Sequence, residues 1–110
     1  MPKYLFQTSY TNDGVKGLLK DGGSGRKAAA EQAVASLGGK LEAFYFGFGE
    51  TDAYVIADLP DNSSAAALAL AVAAGGTVSV NTTVLIAPEE MDAAAKKSVT
   101  YRAPGAPTPR

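Results

Sequence analysis

Hydrophobic and polar positions change period several times along this chain, and each change marks an element. Lys3–Tyr10 (KYLFQTSY) is aromatic-rich with partial period-two alternation and predicts a first strand. Thr11 or Asn12 offers a helix N-cap, and Val15, Leu18 and Leu19 form a short apolar stripe behind it. Gly22, Gly23 and Gly25 interrupt that stripe, so the pattern predicts two helical pieces, the second capped by Ser24. In that piece Ala30, Ala33, Val34 and Leu37 share a face, and Gly38-Gly39 ends it. Two strands follow, Leu41–Phe48 and Ala53–Leu59, and their short Gly49–Asp52 connection argues for an antiparallel hairpin.

Pro60-Asp61-Asn62-Ser63 is a turn-and-cap cluster that launches an Ala/Leu helix from about Ser64 to Ala74. Gly75-Gly76 closes it. Thr77–Ile86 alternates clearly, with Val78, Val80, Val84 and Ile86 on one side and Thr77, Ser79, Asn81 and Thr83 on the other. Pro88-Glu89-Glu90 starts a short final helix and Lys96-Lys97 ends it, a charge order that complements the helix dipole. The expected order is β-α-β-β-α-β with an added C-terminal helix. That is the α+β, ferredoxin-like arrangement, a four-stranded antiparallel sheet with both helices on one face. One domain is expected over residues 1–98, followed by a Pro-rich tail over 99–110 that is extended or disordered.

Two helices cover only one face of such a sheet. Phe44, Phe46 and Phe48 fall on one side of the hairpin and Tyr45 on the other, so neither side reads as fully solvated. A sheet apolar in patches on its uncovered side usually meets another subunit, and a homodimer or higher oligomer is expected.

Composition narrows the chemistry. The chain has neither Cys nor His, which removes thiolate chemistry, imidazole bases and the usual proximal haem ligand. No metal site is expected, and no cofactor. Ten basic residues stand against eleven acidic ones, so no basic field points to nucleic acid. The Ala65–Ala74 run is too short to span a bilayer, and Met1-Pro2-Lys3 leads straight into a strand. A cytoplasmic protein without a membrane partner is the expectation.

Four groups of residues carry candidate chemistry. Glu50 and Asp52, two carboxylates at the hairpin corner, form the acid/base candidate, because neighbouring carboxylates push their pKa values apart. Turn chemistry alone accounts equally for both residue types. Tyr4, Tyr10, Tyr45, Tyr54 and Tyr101 offer apolar rings with polar tips, and Tyr45 with Phe48 would suit a flat ligand. Gln7 and Ser9 on the first strand, with Asn81 and Thr83 on the last, would give a neutral polar floor to a cavity or an ordinary solvated face. The Lys20–Lys27 segment superficially resembles a phosphate loop, but no strand leads into it and its spacing matches no nucleotide fingerprint.

Three stretches also carry a resemblance: PKYLFQTSYTNDGVKGLLKDGG, GGKLEAFYFGFGETDAYVIADLPD and VSVNTTVLIAPEEMD. Together they resemble the GYD-domain proteins, small bacterial and archaeal proteins, over Pro2 to Asp92. At the hairpin corner Gly49 and Asp52 match the family's glycine and aspartate, while Thr51 stands where an aromatic is expected. The resemblance implies a ferredoxin-like chain assembled as a dimeric α/β barrel. Relatives of that broad type include cofactor-independent monooxygenases, isomerases and effector domains; those that need a proximal His are excluded here. Three functions therefore stay open. One is a module that binds or senses a small molecule at the sheet or subunit interface. The second is a cofactor-free monooxygenase- or isomerase-like enzyme with Asp52 or Glu50 as base. The third is a purely structural oligomer.

Overall fold

The structure is a computed structural model that describes residues 1–108; the last two residues of the predicted tail lie outside the described residues. Its order is β1 (Lys3–Tyr10), α1 (Asn12–Ser36), β2 (Lys40–Phe46), β3 (Ala53–Asp58), α2 (Asn62–Ala74), β4 (Val78–Leu85) and α3 (Pro88–Ala95). The four strands form one antiparallel sheet in the order β2-β3-β1-β4. This α+β order fits the ferredoxin-like expectation.

Alternation along each strand decides what the core contains. Tyr4, Phe6, Val55 and Ala57 point to one face and are buried there with Val34 of α1, Ala65 of α2 and Leu59. Residues of α1 (Ala30, Val34) and α2 (Leu68, Val72) line the same gap against Phe6, Val55 and Val80, so both helices cover this one face. The phenol of Tyr4 is buried yet satisfied, because its hydroxyl donates to Asn62 Oδ1 at 2.6 Å.

Helix starts follow their capping residues. Thr11 caps α1, accepting the Gly14 amide at 3.2 Å, and Asp61 caps α2, accepting the Ser64 amide at 2.8 Å. The predicted break in the first helix is a single residue, Gly22, at φ 76° and ψ 164°. Only glycine enters that region at low cost, and the helix resumes directly beyond it. The break thus lies ahead of Ser24 and divides α1 into two helical pieces, as the pattern predicts.

β2 stops at Phe46, two residues short of the predicted end, so Phe48 belongs to the corner and not to the strand. A bulge between Leu41 and Ala43 interrupts the β2–β3 ladder. Beyond β4 the chain leaves the body. All eight residues of α3 are exposed. The radius of gyration is 17.9 Å and the longest extent 63 Å. A compact domain of this length has a radius of gyration of about 13 Å.

Candidate functional site

The hairpin corner is built on β1. Asp52 N–H donates to the Thr8 carbonyl at 2.8 Å, and Gly47 N–H donates to the Asp52 carbonyl at 2.8 Å. One oxygen of the Asp52 carboxylate accepts the Tyr10 amide at 2.8 Å. The Ser9 hydroxyl donates to the Glu50 carbonyl. These bonds fasten Gly47–Asp52 to the last three residues of β1, with Gly49 at φ 138° supplying the turn that an L side chain resists.

On the helix side of this corner lies a cleft of about 510 Å³. Val15, Leu18 and Leu19 of α1 form one wall, and Phe46 and Phe48 face them. Gly22 and Gly23 form the rim, where a Cβ on Gly23 would meet the Phe46 ring at 3.1 Å. Tyr10 and Asp52 complete the lining. Cleft and volume match those of small-ligand sites, which are roughly 300–1,000 Å³, mostly apolar, with few polar groups. A separate gap of about 120 Å³ lies deeper, between the sheet and the small side chains Ala29, Ala30 and Ala33. Thr8, Tyr10 and Arg26 also line it.

The opposite, uncovered face is ordered in rows, because directly paired residues point to the same side. Tyr45, Tyr54, Gln7 and Asn81 stand side by side across all four strands. Ala43, Ile56, Leu5 and Thr83 form the next row. Beyond it Lys3 bridges two carboxylates, with Nζ at 2.8 Å from Asp58 and 2.7 Å from Glu42. The Asp58 hydrogen bond, and then that to Glu42, raises the Lys3 ammonium above its ordinary pKa.

The candidate residues thus divide between two faces. Gln7, Ser9, Asn81, Thr83 and Tyr45 belong to the uncovered face, with Tyr45 and Tyr54 both exposed. Asp52 and Phe48 line the cleft on the other side. Glu50 is exposed and is not part of the cleft wall, so the two corner carboxylates do not converge.

The cleft also holds residues that the sequence did not single out as a site. Val15 and Leu19 belong to the short apolar stripe of the sequence, and both are exposed and line the cleft. The sequence carried one signal of this: the stripe ends at a glycine pair, and a kinked helix lifts part of its apolar face off the sheet. Among the described residues no helix is long and apolar enough to cross a membrane.

The family model described as GYD domain matches residues 4–95, which takes in β1 but for its first residue, the other three strands, all three helices and the cleft. Neither a search of curated proteins nor one of solved structures found a match.

Proposed function

The chain belongs to the GYD-domain family, and from that premise we propose that it is a small-molecule-binding module whose ligand sits in the cleft beside the hairpin corner. The observation that carries this reading is an open apolar cleft of about 510 Å³ with a single carboxylate, Asp52, in its wall. Soluble domains seldom leave Leu19 and Phe48 uncovered around one concavity without a use for them. The lining suits a flat or branched apolar body with one hydrogen-bond-donating or cationic head directed at the Asp52 oxygen that Tyr10 leaves free.

Binding fits the geometry better than catalysis. One Asp52 oxygen is held by the Tyr10 amide, and Glu50 stands off the cleft, so no second carboxylate shares the work of acid and base. The uncovered sheet face, with its Ile56–Leu5 row, supports self-association of the module into a homo-oligomer.

Thermal denaturation with a panel of aromatic amines, phenols and aromatic carboxylates tests the reading. An aromatic amine that binds is expected to add about 2.7 kcal/mol of stability at a hundredfold excess over its dissociation constant. Asp52→Asn should weaken that stabilisation. A panel that shifts nothing, or a shift that Asp52→Asn leaves intact, would overturn the proposal.

A further inference from the structure

The two edges of the sheet differ. The β2 edge is interrupted by the bulge at Leu41/Ala43 and carries Lys40 and Glu42. Bulges and charges are what natural edge strands use to avoid pairing with other chains. The β4 edge has none of these. VSVNTTVL is eight residues long with no charge, no proline and no register shift against β1, and it is the last strand of the sheet. Such an edge presents a row of unpaired backbone groups and serves as a template for another strand.

The same chain carries a segment patterned as a strand. Ser98–Ala103, beyond α3, has no regular secondary structure and belongs to no sheet. Lys97, Val99 and Tyr101 alternate with Ser98, Thr100 and Arg102, a period-two pattern of β-branched and aromatic residues. Val99 and Tyr101 are 77% and 70% exposed. The arm that bears them projects from the body, and α3, at eight residues, is too short to be stable in isolation and buries nothing.

We propose that the Ser98–Arg102 segment of one copy adds as a strand to the β4 edge of a second copy. Exchange between two copies is reciprocal about a twofold axis, so each β4 edge is covered and each arm is ordered. Within one chain the segment would have to fold back on its own β4 with α3 in the connection, and α3 buries no residue against the sheet. This inference does not rest on the cleft or on its ligand.

Analytical ultracentrifugation and hydrogen exchange on the full chain, a chain ending at Lys96, and the Val99→Pro/Tyr101→Pro variant test it. Proline removes ladder donors from the arm, and both variants leave the sheet and its core untouched. The full chain is expected to sediment with more subunits than either variant, with the amides of residues 99–102 protected increasingly as concentration rises. Equal masses for all three would overturn the proposal. So would unprotected arm amides at every concentration, or protected arm amides in a chain that sediments as a monomer, which would place the arm on its own β4.

Discussion

The Asp52 carboxylate accepts the Tyr10 amide at 2.8 Å, while the backbone of Asp52 donates to Thr8. The corner aspartate therefore extends the β3–β1 ladder by main chain and closes it by side chain. Asp52→Ala leaves the Tyr10 amide unpaired in a half-buried position and should cost about 1–2 kcal/mol in urea denaturation. Asp52→Asn keeps an acceptor oxygen and should retain most of that stability. If Ala and Asn behave alike, the bond contributes nothing to the fold.

Two glycines of α1 predict opposite signs for the same substitution. Gly22 holds φ 76° and ψ 164°, so Gly22→Ala forces a side chain into a strained region and should destabilise by about 1–3 kcal/mol. Gly17 is helical, and a Cβ there meets nothing within 4 Å. Gly17→Ala should stabilise by up to about 1 kcal/mol through helix propensity. Equilibrium unfolding of the two variants side by side checks both signs.

Acid sensitivity has one identified contributor at the start of α2. Hydrogen bonds from the Ser64 amide and then the Ser64 hydroxyl hold Asp61 below its ordinary value of 3.8. A folded pKa below the unfolded one adds stability that is present above the unfolded pKa and is lost as pH falls through the folded pKa. Wild-type stability should therefore decline as pH drops below about 4, and Asp61→Asn, which caps without ionising, should flatten that part of the curve. An unchanged slope below that pH would assign the acid loss to other groups.

The uncovered face yields a separate test. Tyr45 is exposed in the single chain and shares a row with Tyr54, so Tyr45→Lys should leave the circular dichroism spectrum unchanged. If this face meets another subunit, the same substitution should lower the sedimenting mass, since a charge in an apolar contact is costly. A mass unaffected by it would leave the face solvated.

Much of the fold was legible because local signals agreed with one another. β1 and the end of α2 fall where the alternation and the glycine pair put them, and β4 within one residue at each end. The helix face carrying Ala30, Ala33, Val34 and Leu37 is the one that meets the core. The candidate site was legible only in fragments. Alternation placed Gln7, Ser9, Asn81 and Thr83 together, but it does not say where a strand ends, so Phe48 was given a sheet face that the corner denies it. The role of Val15 and Leu19 was hidden for a physical reason as well. An apolar stripe on a helix has the same period whether it meets a core or a cleft, and the kink at Gly22 that separates the two is a tertiary matter.

Phe48 offers the sharpest separation of function from stability. Its ring is fully exposed, so it buries no area that folding would lose, and Phe48→Ala should alter unfolding free energy by no more than about 0.5 kcal/mol. The same ring lines the cleft opposite Leu18 and Leu19, where a ligand would cover it. Covering an aromatic side chain stabilises by about 1.5–3 kcal/mol, so truncation should weaken ligand binding by roughly tenfold or more while the apo protein melts as before. Calorimetric titration of wild type and Phe48→Ala with whichever panel compound shifts melting most provides the comparison. Equal affinities would remove Phe48 from the site, and a lower apo melting temperature would show that the corner ring supports the fold instead.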